Sequence, residues 1–308
     1  MTAPIIVGRV EAVRAGRITR HDRPTWDEVR SPWRTAFWKD ECAGPVRIGT
    51  LGLDGFGVSR FQSGGDLRLR GIQTHIGSQL TSVKPFEAAV KKLLPLVTKL
   101  KAKYNFEFFS IGGGIGIMYR DALASGVAEW WRKPAARRII TPAMYAGRLV
   151  KLLQPLGLRI LMEPGRFISG NAGILVTRIE FVKQTGRKNF LIVDAAMNDL
   201  IRPAFYDSYH EIVPLRRKVG KLISSDVVGP ICESGDYFAK DRLLPKLGEG
   251  DCIALMSAGA YGSVMGSNYN SRALIAEVLV SGKKVALVRE RQRIADIWAG
   301  EKIAAWQR

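Results

Sequence analysis

Cysteine, histidine and long apolar runs are all scarce in this chain of 308 residues. The three cysteines, Cys42, Cys232 and Cys252, make neither a CxxC pair nor the clustered even set of a disulfide framework. With only three histidines and no second Cys or His cluster, no metal site is expected. No stretch approaches the roughly 18–20 apolar residues of a membrane span. The opening residues, MTAPIIVGRVEAVRAGR, lack the charged-then-apolar order of a signal peptide. A reducing cytoplasm and no membrane contact are the expectation. Acidic residues are also outnumbered, 28 against 47 Lys and Arg, giving a formal charge of +19. That excess comes without an RNP-like, helix-turn-helix or zinc-finger pattern, and it is spread along the chain. It reads as solvated surface with a minority of residues in an anion site, so no nucleic-acid partner is expected.

What is present is organised in three parts. Residues 1–70 hold eleven Arg and one Lys, Lys39, and have poor apolar periodicity; they form an atypical N-terminal segment. From residue 71 the pattern sharpens. GIQTHIGS reads as a strand entering a loop, and Pro85–Tyr104 has apolar residues at helical spacing. FEFFSIGGG is a strand ending in glycines. Thr141-Pro142 opens a helix running to about Leu156, with Thr as N-cap and Pro at the first position. Leu158–Met162 is a strand ending in EPGR. Alternating strands and helices of this kind argue for parallel βα units over 71–170. Residues 171–308 turn to short β-branched runs, such as GILVTRIEFVKQ, KNFLIVDA, DCIALMSA, ALIAEVLVSG and KKVALVRE. They predict a mostly antiparallel β domain.

Unusual residues gather at the ends of the parallel strands: His75 and Ser78 in HIGS, Gly112, Gly113 and Gly114 in IGGGIG, Glu163 and Arg166 in EPGR. Ligands of α/β folds bind at such ends. Consecutive glycines let backbone N–H groups approach an anion, and an arginine offers a fork to phosphate or carboxylate. Each alone has a plain structural explanation: a tight turn, an ion pair, a core histidine, a capped turn. The β region adds DAAMNDLIRPAFYDSYHEI, GPICESGD and AGAYGSVMGSNYNSR, clusters of polar, aromatic and small residues suited to a pocket edge.

HIGSQL, IGGGIGI, EPGRFISGNAG, DAAMNDLIRPAFY, GPICESGD and AGAYGSVMGSNYN, in this order over about residues 71–308, resemble diaminopimelate decarboxylase. The resemblance implies part of a (β/α)8 alanine-racemase-like barrel followed by a β domain that completes the active site. It also implies pyridoxal 5'-phosphate as cofactor, an amino-acid substrate and a homodimer. The reaction implied is decarboxylation of meso-2,6-diaminopimelate to L-lysine. By the same resemblance His75 stacks on the pyridine ring, while Ser78 and Gly112, Gly113 and Gly114 hold the phosphate. Glu163 pairs with the ring nitrogen, Arg166 faces phosphate and substrate carboxylate, and Arg202 and Tyr206 grip the far end of the substrate. Cys232 gives the proton after CO2 leaves, Glu233 binds the distal ammonium, and Tyr261 reaches phosphate and substrate. A thiol suits that proton transfer near neutrality, and Glu233 and Arg202 match the two charges of a second amino-acid head. Asp236 is expected to brace the loop.

One departure stands out. The family carries its cofactor on a lysine in a YAxKAN-like strand end, and this sequence has no such motif. The chain is therefore expected to be N-terminally incomplete relative to the family and inactive as written. A non-catalytic remnant, or a decarboxylase of another basic amino acid, is the alternative.

Overall fold

A computed structural model describes residues 10–12, 67–133 and 139–307. The chain divides into two compact units: Met1–Gly116 with Arg137–Pro164, and Ile117–Ala136 with Gly165–Arg308. The reading of residues 1–70 lies almost wholly outside the described residues. Within them Val10–Ala12 (β1) pairs antiparallel with Leu67–Leu69 (β2).

The first unit carries three parallel strands, Gly71–Gln73 (β3), Phe108–Ser110 (β4) and Arg159–Leu161 (β5), in the order β3-β4-β5. Helix Lys84–Tyr104 (α1) links the first two strands, and Pro142–Leu153 (α2) precedes the third. In α1 the buried residues Phe86, Val90, Leu93, Val97 and Leu100 recur every three or four positions, which gives one apolar stripe. Burying each is worth roughly 1.5–3 kcal/mol, enough to hold the helix on the sheet despite Pro95 in its exposed side. Helix α1 ends where Asn105 turns left-handed at φ 53° and its N–H closes on the Lys101 carbonyl. Helix α2 begins as expected: the Thr141 hydroxyl accepts the Met144 N–H at 3.2 Å, and Pro142 occupies the first turn. Phe86 of α1 meets Tyr145 of α2 edge to face, 5.0 Å between ring centres.

The second unit is built on a six-stranded sheet of Leu175–Gln184 (β6), Asn189–Val193 (β7), Ile212–Pro214 (β8), Leu222–Val228 (β9), Tyr237–Pro245 (β10) and Cys252–Leu255 (β11). Its order is β10-β9-β7-β6-β11-β8. Pairing is antiparallel except between β7 and β9. Along β6 the buried Leu175, Thr177 and Ile179 alternate with exposed Val176 and Arg178, as a pleated strand with one covered face requires. Ile179, Val193, Val227, Ile253 and Leu255 are fully buried in the core of this sheet.

Strands β8, β9 and β10 have no counterpart among the runs read from sequence. The reason is charge inside β9 and β10. Asp226 of β9 is buried, yet it accepts from Lys188 Nζ at 2.7 Å and from the backbone N–H of Asp241 at 2.7 Å. Asp241 sits at φ 50° where the β9–β10 register shifts. The polar residues thus serve a bulge rather than a loop. A further hairpin, Glu277–Ser281 (β12) with Lys284–Arg289 (β13), turns at Gly282 with φ 59°. Its Val278, Leu279, Val280, Val285, Leu287 and Val288 are all exposed. Among the described residues no helix is long and apolar enough to cross a membrane.

Candidate active-site residues

In the first unit the pairing of β3, β4 and β5 continues past the strands themselves. Thr74 N–H donates to Ser110 O at 2.9 Å, Ile111 N–H to Leu161 O at 3.0 Å, and Glu163 N–H to Gly112 O at 2.9 Å. These bonds pull the three strand ends together, so the glycines are needed first for packing. A Cβ on Gly112 would lie 2.1 Å from Thr74 O, one on Gly113 2.4 Å from Glu163 O, and one on Gly114 2.2 Å from Gly77 O. Gly112 and Gly114 also take φ of +71° and +98°. The expected reason for glycine here, room for an anion to approach, is therefore preceded by a stricter one, room for the neighbouring strand ends. The anion argument keeps separate support. Among the described residues the N–H groups of Gly113 and Gly114 have no acceptor, although Gly113 is buried. Buried donors without partners cost free energy unless a ligand takes them.

Glu163, two residues beyond β5, is anchored by the neighbouring strands. Its Oε1 accepts from Ser110 Oγ at 2.8 Å and from the amide of Gln73. Its Oε2 has no partner among the described residues. Neither Gln73 nor Ser110 stands out in the sequence; each looks like an ordinary polar strand residue until the register places the two side by side. His75 and Ser78 are exposed on the loop after β3, so His75 is not a core histidine.

The second unit gathers the other group. Arg166 lies in the short helix Gly165–Ser169 (α3), and Arg202 opens the short helix Arg202–Tyr206 (α4). Both guanidiniums donate to one phenol oxygen, that of Tyr119: Arg166 Nη1 at 2.5 Å and Arg202 Nη1 at 2.6 Å. Arg202 is only 5% exposed and has no carboxylate partner among the described residues. It also reaches Ser208 Oγ at 3.2 Å and the Nε2 of His210 at 3.1 Å. Its guanidinium lies 4.8 Å from the centre of the Tyr119 ring, and that of Arg166 lies 4.8 Å from the centre of the Tyr261 ring. Burial pushes the Arg202 guanidinium below its ordinary range.

His210 is fully buried. Its Nδ1 lies 2.8 Å from the Met256 carbonyl, which can only accept, so Nδ1 carries the hydrogen and Nε2 accepts from Arg202. Burial above all, with the cations Arg202, Arg166 and Arg242 adding to it, pushes the imidazole down to about 4, against the bond to Met256. Tyr119 and His210 pack edge to face with ring centres 5.2 Å apart. Tyr206 is exposed and stacks edgewise on Phe205.

The CESGD loop is organised by Asp236. Its two carboxylate oxygens accept from the N–H groups of Met197 and Ile231, both at 2.7 Å, and burial raises its pKa above the ordinary value. A Cβ on Gly229 would collide with that carboxylate at 2.3 Å. Glu233 accepts from Gly235 N–H at 3.0 Å and from the Tyr269 hydroxyl at 3.3 Å. Cys232 is a free, exposed thiol. Among the described residues no cluster of His, Cys, Asp or Glu could hold a metal ion.

Comparison with known proteins agrees with the resemblance. The diaminopimelate decarboxylase of Vibrio cholerae serotype O1 is 45% identical over 240 residues, covering 77% of this chain and 54% of that protein. That of Aquifex aeolicus is 43% identical over 228 residues, covering 74% and 51%. A crystal structure of diaminopimelate decarboxylase from Helicobacter pylori complexed with L-lysine matches with a TM-score of 0.67 at 37% identity. It covers 76% of this chain and 55% of that one. The chain spans about half the length of the curated relatives it matches. Residues 24–259 match the family described as pyridoxal-dependent decarboxylase, C-terminal sheet domain, which is well over half the sequence. On that match, and on relatives more than 40% identical over about three quarters of the sequence, the chain belongs to the pyridoxal-dependent decarboxylases.

Proposed function

We propose that this chain provides cofactor and substrate contacts for the decarboxylation of meso-2,6-diaminopimelate to L-lysine. The observation that carries the proposal is the convergence of Arg166 and Arg202 on Tyr119, with Arg202 buried and, among the described residues, without a carboxylate partner. A buried cation of this kind calls for an anionic ligand, and a substrate with a second carboxylate supplies one. Relatives named for this reaction, and one solved with L-lysine, support the choice of substrate.

The residues at the strand ends suit pyridoxal 5'-phosphate. The N–H groups of Gly113 and Gly114, without an acceptor among the described residues, are donors for a phosphate, with Gly112 shaping the turn and Ser78 adding a hydroxyl. Glu163, anchored through Oε1, keeps Oε2 for the protonated ring nitrogen, and His75 offers an exposed imidazole to stack on the ring. When bound, the cofactor supplies an electron sink for the pair left on the α-carbon as CO2 departs. The Sγ–H of Cys232 then delivers a proton to that carbon. Glu233, held by Gly235 and Tyr269, receives the distal ammonium, while Arg166, Arg202, Tyr206 and Tyr261 take the distal carboxylate and flank it.

The fold we propose is the C-terminal half of a (β/α)8 barrel over 71–170 followed by a β domain over 171–308. The proposal extends to a cytoplasmic homodimer, for which the bare apolar hairpin β12–β13 provides uncovered surface. The test is a titration of the chain with pyridoxal 5'-phosphate, followed by amide NMR. Shifts at Ser78, Gly113 and Gly114 are expected. Binding that leaves those amides unmoved would overturn the cofactor assignment.

A further inference from the structure

Tyr119 lies outside every motif that points to the active site, yet its hydroxyl is where the two arginines meet. A phenol oxygen has two lone pairs and one hydrogen. A guanidinium can only donate, so Arg166 and Arg202 occupy both lone pairs, at 2.5 and 2.6 Å. The hydroxyl hydrogen is left for a third partner, solvent or a ligand, since Tyr119 is half-buried. Among the described residues there is no acceptor for it: the adjacent His210 has its Nε2 turned to Arg202 and its Nδ1–H given to Met256. An acceptor that takes this hydrogen lies next to two cations.

We propose that Tyr119 is a specificity residue whose O–H donates to the substrate carboxylate held by Arg166 and Arg202. The inference rests on the reading of those arginines as the carboxylate grip. It adds a neutral third donor, and with it a geometric requirement. The arginines supply charge that any anion could use. The phenol fixes where both guanidiniums point and offers one hydrogen to an oxygen lying between them. His210 is a positioning residue in the same array, since its lone pair takes the second hydrogen of the Arg202 Nη1 that also bonds Tyr119. The site therefore selects an amino acid that keeps a carboxylate over the corresponding amine that has lost it.

The experiment compares two probes, L-lysine and cadaverine, which differ by that carboxylate. Binding to the whole chain is measured by NMR titration for wild type, Tyr119→Phe and Arg202→Gln. Wild type is expected to prefer L-lysine, and each variant to lose L-lysine affinity by about tenfold or more while its cadaverine affinity stays put. If Arg202→Gln loses the preference and Tyr119→Phe keeps it, the role of Tyr119 is refuted while the arginine grip stands. If wild type does not distinguish the two probes, the arginine reading fails and this inference falls with it. A measurement on the unmutated protein covers the case of a variant that does not fold. With tyrosine labelled at Cζ, the Tyr119 resonance should move with L-lysine and stay with cadaverine; equal or absent movement refutes the proposal.

Discussion

Lowering the pH from 7 to 4 should weaken the second unit through His210. In the folded protein the imidazole is buried beside three arginines and is pushed down to about 4 from an ordinary 6.5. The unfolded chain takes up a proton as pH falls below about 6.5, and the folded chain resists until about 4. Between those values the unfolded state binds more protons, so stability falls as pH falls and levels off below the folded value. A gap of about 2.5 pH units at 1.36 kcal/mol each amounts to about 3 kcal/mol. Asp199 and Asp236 act in the opposite direction at lower pH, because burial raises both carboxyls. They cancel when wild type is compared with His210→Gln, which does not titrate and keeps an acceptor for Arg202. Urea unfolding at pH 8, 6.5, 5 and 4 should show a difference between the two proteins that shrinks by about 3 kcal/mol across the window. Parallel curves for wild type and variant would refute the buried, neutral imidazole.

Two other outcomes follow from the geometry and one from the sequence. Gly113→Ala, whose Cβ would meet Glu163 O at 2.4 Å, should destabilise the first unit by about 2–3 kcal/mol, whereas Gly147→Ala on the open side of α2 should gain about 0.5–1 kcal/mol; thermal melts of both check this. Asp236→Ala strands two backbone donors and should cost about 2–3 kcal/mol in urea, with Asp236→Asn intermediate because it keeps one acceptor oxygen. Decarboxylation by the 308-residue chain with added pyridoxal 5'-phosphate is expected to be undetectable by lysine release, since the sequence has no YAxKAN-like lysine. Joining the lysine-bearing region of a relative should restore it, and Cys232→Ala should lower it again.

Local rules made much of this protein readable from its sequence. Apolar spacing marks α1, Thr141-Pro142 marks the start of α2, and the glycines mark the turn after β4, because each depends on residues within a few positions of one another. The clustering of Cys232, Glu233 and Asp236 is likewise visible in ten residues. Strands β9 and β10 are hidden because Asp226 and Asp241 look like loop residues until Lys188, from a different part of the chain, pairs closely with Asp226 and the Asp241 N–H bonds the same carboxylate. Gln73 and Ser110 gain a role only when parallel register sets them beside Glu163. Tyr119 and His210 needed the tertiary structure most of all. Tyr119 stands two residues past IGGGIGI and His210 lies inside DAAMNDLIRPAFYDSYHEI, yet neither is singled out by its spacing, and the bond from Arg202 to Tyr119 spans 83 residues. The sequence by itself determined which chemical groups are present and which short elements carry them. Folding decided which buried arginine meets which phenol, since hydrogen bonding and desolvation depend on distances that only packing sets.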